Sequence, residues 1–227
     1  MNVRLISICI LGTIWSSILF PQHAQARQKD KVTVEEDTVA FFRGLSVSAD
    51  VVGLAQLTFG DYGQYEGALR VNIKDKYFPI VEIGYGKADT EDVATKNIYK
   101  SKAPYLRGGI DFNMMRNKHD INRIYVGMRY AYSSFTFDVE HPDLTDPVWG
   151  DKAQYGAKDV DAWQHWAELV AGIDAKIFGP FRLGWSVRYK RRIARKENDF
   201  GAPWYVPGYG KGGNSRLGGT FNIILEI

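Results

Sequence analysis

The residues best equipped for chemistry are few. In His165-Trp166-Ala167-Glu168 an imidazole and a carboxylate three positions apart could act as general base and orienting acid in hydrolysis. That spacing serves a helix, where residues three apart share a face. On a strand it sends the two side chains to opposite faces. No serine or threonine nucleophile is placed beside them by spacing. His141, with Asp138 and Asp143 nearby, reads as a turn cap rather than a metal ligand. Lys211-Gly212-Gly213 lacks the strand-to-helix setting of a phosphate loop. We therefore expect no catalytic residue, no metal and no cofactor. What remains is a basic cluster, Arg188, Lys190, Arg191, Arg192, Arg195 and Lys196, whose guanidinium forks suit phosphate groups.

The elements that must carry these residues start after a targeting segment. Arg4, the apolar residues from Leu5 to Phe20 and the small-residue site Ala24-Gln25-Ala26 predict a signal peptide over residues 1–26, cleaved near Ala26. The single cysteine, Cys9, lies inside that segment, too early to be a lipoprotein cysteine. The mature chain then has no disulfide and no thiolate. Of 29 Lys and Arg, Arg4 leaves with the signal, so 28 face 26 Asp and Glu, a net of +2 that gives nucleic acid no purchase. Aromatic residues at 14%, 23 glycines and the lack of a mature apolar run near 18 residues point to a β protein rather than helical membrane spans.

Arg27 to Val39 is polar and charged, and residues 27–43 are expected to form a short periplasmic leader. From residue 44 the chain alternates with a period of two. Strands are predicted over residues 44–59, with Gly53 as a bend, 64–73, 77–87, 103–115, 121–137, 162–178, 181–190 and 216–227. In the last of these, Leu217, Gly219, Phe221, Ile223, Leu225 and Ile227 share one face, and Arg216, Gly218, Thr220, Asn222, Ile224 and Glu226 share the other. Tight turns centred on Asp75, Lys118 and Gly179 alternate with connections of which three are long. Eight strands with short turns at one end and long loops at the other match an outer-membrane barrel.

The polar faces decide between this and a soluble sandwich or lipocalin-like barrel. Asp50, Glu66, Arg70, Glu82, Arg107, Asp111, Arg129, Glu168, Asp174, Arg182, Arg188, Arg216 and Glu226 all lie opposite the apolar stripes. In an eight-stranded antiparallel up-and-down transmembrane barrel they would fill a lumen just wide enough for side chains, and pair there as a charge network. The apolar faces would meet lipid. Tyr65, Tyr85, Tyr105, Tyr130, Tyr132, Trp163 and Trp166 near the long loops, and Tyr77, Phe78, Phe178 and Phe181 near the tight turns, would form two interfacial belts.

At this level the chain resembles small outer-membrane β-barrels of Bacteroidota that have no assigned function. The likeness rests on Lys76-Tyr77-Phe78-Pro79-Ile80-Val81-Glu82-Ile83-Gly84-Tyr85, Asp146-Pro147-Val148-Trp149-Gly150, Trp204-Tyr205-Val206-Pro207-Gly208-Tyr209-Gly210 and the terminal strand. It implies the barrel, over residues 44–227, and its location in the bacterial outer membrane. It carries no catalytic residues. One departure is that many such barrels end in an aromatic residue, whereas this chain ends in Ile227.

The function expected is therefore non-enzymatic: a structural element or accessory subunit of an outer-membrane complex. Ordered loops would meet other outer-membrane proteins through Trp149, Trp204, Tyr205 and Tyr209, or else fold over the barrel mouth. The alternative is a barrel that modifies or binds lipopolysaccharide, with Arg191, Arg192 and Arg195 on its phosphates. A narrow pore is the third reading. The partners expected are outer-membrane lipid and lipopolysaccharide and other outer-membrane proteins, with no nucleic acid.

Overall fold

The computed structural model describes residues 39–91, 96–141, 144–145, 152–153, 156–198 and 202–227. The expected signal peptide, the expected leader before residue 39, Asp143 and the segment with Trp149 lie outside them.

Eight antiparallel strands close into a ring: β1 (Phe42–Asp50), β2 (Tyr62–Ile73), β3 (Tyr77–Glu91), β4 (Ile98–Asn113), β5 (Arg123–Glu140), β8 (Gly156–Phe178), β9 (Phe181–Arg195) and β12 (Ser215–Glu226). The last strand pairs with the first through Ser46↔Glu226 to Asp50↔Asn222, so the ring has no free edge at that level. Two short ribbons belong to the long loops: β6 (Leu144–Thr145) with β7 (Lys152–Ala153), and β10 (Tyr205–Val206) with β11 (Gly210–Lys211). Strand order follows chain order, as expected for up-and-down topology.

Period-two parity holds through the middle of the strands, with register shifts between Phe42 and Gly44, Phe137 and Val139, His165 and Trp166, and Lys176 and Phe178. Cross-strand neighbours Leu69↔Val81, Ile83↔Leu106, Met128↔Leu169, Ile173↔Trp185 and Trp185↔Phe221 form a continuous apolar exterior. Leu217, Trp185 and Val187 are more than 60% exposed, while Glu82, Arg107, Asp111, Glu168 and Asp174 are at most 1% exposed. This inverts the order of a soluble protein, in which charged residues are almost never fully buried.

Three expectations are corrected. Residues 51–59 are not strand but a helix, α1 (Val51–Phe59). The Asp50 carboxylate accepts from the N–H groups of Val52 and Gly53, both at 3.1 Å, and so caps the helix. Gly53 is a packing position rather than a bend: a Cβ there would lie 2.6 Å from the Gln64 carbonyl oxygen. Gly63 allows the same approach from β2, where a Cβ would lie 2.2 Å from the Leu57 nitrogen. The predicted leader also ends early, because β1 already includes Phe42 and Arg43. Finally, the predicted loop over residues 138–161 is partly strand, since β5 and β8 stay paired as far as Glu140↔Gly156.

Candidate functional site

The lumen is built from alternate residues of six strands. Arg107 on β4 meets Glu66 on β2, Glu82 on β3 at 3.1 Å and Glu168 on β8 at 3.0 Å. Arg188 on β9 reaches the same three acids, at 3.3 Å, 2.6 Å and 3.6 Å respectively. Arg129 bridges Glu82 at 3.2 Å to Asp111 at 2.7 Å, and Arg70 joins Asp111 at 3.3 Å to Asp174 at 2.5 Å. Ten of the thirteen charges expected to share a lumen network are thus buried and ion-paired in the barrel. Nine of them form this cluster, and Arg182 lies apart from it.

Aromatic rings finish the packing. The Arg107 guanidinium lies 4.6 Å from the centroid of Tyr105, and that of Arg70 lies 4.9 Å from Tyr125. Tyr105 Oη donates to Glu66 at 2.7 Å and Trp166 Nε1 to Glu168 at 2.6 Å. The void left among Glu66, Arg70, Glu82, Arg129 and Arg188 is ≈ 10 Å³, room for about one water.

The remaining three expected charges sit elsewhere. Asp50 serves the helix and, through Phe221 N–H at 3.2 Å, the edge of β12. Arg216 is on the loop side and donates to the carbonyls of Lys211 at 2.8 Å and Gly212 at 3.0 Å. Glu226 joins Arg182 at 2.6 Å and Arg123 at 2.5 Å, a separate cluster at the tight-turn end. Arg123 was not singled out from the sequence because it opens its strand beside a polar turn, where an exposed charge is the default.

The tight-turn end closes on Asp75. Lys74 and Asp75 both have positive φ, 54° and 56°, a conformation that usually needs glycine. Asn72 and Asp75 exchange hydrogen bonds of 2.7 Å and 2.9 Å, Asn113 donates to the Asp75 carbonyl at 2.9 Å, and Arg43 and His119 reach its carboxylate at 3.2 Å and 2.8 Å. Burial raises the Asp75 carboxyl, but the bonds from His119 and Asn72 and the charge of Arg43 outweigh it and hold the group below its ordinary value.

The long-loop end is closed by the chain itself. Tyr205, Val206 and Tyr209 are buried, so two of the expected partner anchors face inward. The Gly208 carbonyl accepts from Arg107 at 2.7 Å and from Lys190 Nζ at 2.6 Å, pinning the turn to the charges below. Gly208 has φ +80°, and a Cβ there would lie 2.5 Å from the Tyr105 ring. Both facts demand glycine. Tyr209 meets Trp166 edge to face at 5.7 Å, and Val206 joins them in an apolar cluster with Phe135 and Phe137. Of the expected anchors, Trp204 is half-buried against Tyr62 and Tyr99, and Trp149 is outside the described residues.

Three of the expected belt aromatics also turn inward: Tyr105, Trp166 and Phe78 are buried. Each stands on the lumen parity of its strand, so position near a strand end was a weaker guide than parity. Tyr65, Tyr130 and Tyr132 are exposed, as the belt reading requires.

Other candidates do not converge. His165 lies on the exterior, bonded to Tyr130 Oη at 2.8 Å and packed by Tyr132 and Trp163, whereas Glu168 is in the lumen. The basic cluster splits by parity: Arg188 and Lys190 point inward, and Arg191 is exposed. Arg192 bonds Asn214, and Arg195 sits opposite Gln164. Among the described residues no three His, Cys, Asp or Glu side chains are placed to hold a metal ion.

A family model described as a domain of unknown function, DUF6048, matches residues 1–226. No curated protein matches the sequence. Among solved structures, a major outer membrane protein from Thermus thermophilus is similar with a TM-score of 0.44 and 14% identity, over 81% of this chain and 98% of that one. Neisserial surface protein A is similar with 0.42 and 14%, over 82% and 99%. Ail, the attachment invasion locus protein of Yersinia pestis, solved with the heparin analogue sucrose octasulfate, gives 0.37 and 10%, over 81% and 93%.

Proposed function

The chain belongs to the DUF6048 family, and we propose that it is an integral barrel of the bacterial outer membrane, exported by its signal peptide, that acts as a structural element or accessory subunit rather than as an enzyme or a pore. A Bacteroidota origin, implied by the sequence resemblance, is part of the same proposal. The membrane assignment is supported by the inverted faces. An exterior of Leu69, Val81, Met128, Leu169, Trp185 and Leu217 on eight strands paired into a closed ring suits hydrocarbon. Such an exterior would aggregate in water.

The observation that carries the non-pore reading is the lumen itself. Arg70, Arg107, Arg129 and Arg188 with their five acids cross it as one ion-paired cluster, and Arg107 is bonded to the Gly208 carbonyl. A barrel whose lumen is crossed by ion pairs has its surface and rim to offer a partner. The rim presents the half-buried Trp204, and aromatic residues of this kind anchor interfaces. Crosslinking from Trp204 in intact cells, followed by identification of the captured envelope protein, tests the subunit reading. Monomer alone, in cells and after gentle detergent extraction, would exclude it.

A further inference from the structure

The barrel wall is incomplete over its loop-side half. β1 stops at Asp50, level with Asn222 of β12, while β2 begins higher, at Tyr62. Residues 215–221 of β12 pair with β9 on one side and, among the described residues, with no strand on the other. Residues 62–66 of β2 likewise pair only with β3. Helix α1 stands in this opening and packs on both strands. A polypeptide edge facing hydrocarbon without partners is costly, so the seam between α1 and β12 calls for something that covers it.

Two recesses meet at the seam. On the inside is a cavity of ≈ 200 Å³ whose lining contains Arg107, Arg188, Lys190, Lys211 and Arg216 but, among the described residues, no acid. Arg107 and Arg188 are committed to the glutamates below. Lys211 instead lies over the rings of Trp204 and Tyr62, at 4.8 Å and 5.1 Å, and Arg216 donates only to carbonyl oxygens. These two cations have no carboxylate partner among the described residues. On the outside is a groove of ≈ 810 Å³ lined by Val52, Val126, Ile173, Trp185, Val187 and Phe221. Both recesses are bordered by Gln56, Gly219 and Thr220. At Gly219 a Cβ would touch nothing closer than 3.6 Å, so the junction is not blocked by a side chain.

We propose that this seam is a lateral binding site for a phosphate-bearing amphiphile of the surrounding leaflet, its phosphate held by Lys211 and Arg216 and an acyl chain lying in the apolar groove. The site rests on the membrane-spanning reading above. A guanidinium and an ammonium with no acid between them are complementary to a phosphate, and the groove that continues from them offers the chain an apolar bed outside the wall. Free phosphate would satisfy only the first half of this arrangement.

The test uses the full barrel in phosphatidylcholine vesicles, with a photoactivatable acyl-diazirine phosphatidic acid as probe and the same-chain phosphatidylcholine as control. Phosphatidic acid should label the groove residues about tenfold more than the control, and the Lys211→Gln/Arg216→Gln pair should bring labelling down to the control level. Gly219→Leu, which narrows the junction and leaves both cations, should also lower it. Folding of each variant is followed by the mobility shift between unboiled and boiled samples. Equal labelling by the two lipids, labelling spread evenly over the barrel exterior, or no change in the double variant would overturn the site. Complete displacement by millimolar inorganic phosphate would reduce it to a plain anion site and overturn the amphiphile. If the folded barrel is stripped from vesicles by alkaline carbonate, the membrane reading itself fails.

Discussion

The Asp50 carboxylate accepts the Phe221 N–H at 3.2 Å while it caps α1 through Val52 and Gly53. One side chain therefore ends the pairing of β1 with β12 and starts the helix that stands in its place. Asp50→Ala would remove the cap, at about 1 kcal/mol, and leave the partly buried Phe221 N–H unsatisfied, at about 1–3 kcal/mol. Urea unfolding in vesicles should show a loss of about 2–4 kcal/mol, and Asp50→Asn should recover part of it. A loss below about 0.5 kcal/mol would mean that α1 holds its place without the cap.

The lumen should be intolerant of half-measures. Glu82 lies between Arg107, Arg129 and Arg188. Glu82→Gln leaves buried guanidinium charge uncompensated, which typically costs about 3–5 kcal/mol. The expected result is a lower urea midpoint and a smaller fraction of heat-modifiable, folded protein on unboiled gels. Glu91→Gln, whose Lys96 partner is 60% exposed, should change neither.

Inside and outside can be distinguished on one strand. Phe221 faces out beside Trp185, at 5.9 Å, and Asn222 faces in, donating to Thr220 at 3.2 Å. Phe221→Arg should cost about 2–4 kcal/mol near the midplane. Asn222→Ser should cost about 1 kcal/mol or less. The reverse ranking in vesicle unfolding would mean the two faces are misassigned.

The plug makes a prediction about conductance. Planar-bilayer recordings of the wild type should be silent. Deleting residues 203–210 removes the turn at Gly208 but leaves the ion pairs of Arg107, Arg129 and Arg188 across the lumen. The deletion should therefore also be silent, because eight strands leave no channel once side chains fill the interior. Stable single-channel steps from either protein would restore the pore reading.

Asp75 sets an acid limit at the tight-turn end. Its carboxyl is held below the ordinary value of 3.8 in the folded chain. A depressed carboxylate adds stability that is complete above the unfolded value and is lost as pH falls through the folded one. Unfolding measured from pH 6 downwards should show the wild type losing stability below about pH 4. Asp75→Asn should start less stable at pH 6 and fall less steeply, since that proton-linked contribution is gone. Parallel curves would remove Asp75 as the cause.

What the amino-acid sequence determined by itself was parity. Successive Cβ atoms on a strand alternate sides, so Glu66, Arg70, Glu82, Arg107 and Asp174 were assigned one face, and Leu69, Val81 and Leu106 the other, without knowledge of any partner. Strand number, tight turns and the buried acids and arginines followed from that local rule. Tertiary structure alone decided three things. The apolar residues of 51–59 fit a strand or a helix, and the choice depended on Asp50 reaching Phe221 and on Gly63 admitting Leu57. The aromatic loop at 204–210 could turn outward or inward, and Arg107 and Lys190 drew its Gly208 carbonyl in. The pairing of charges was also beyond reach, because Arg70 and Asp174 meet across 104 positions of chain. Alternation is a property of neighbouring residues, whereas ion pairs and edge closure exist only once the ring has brought distant strands together.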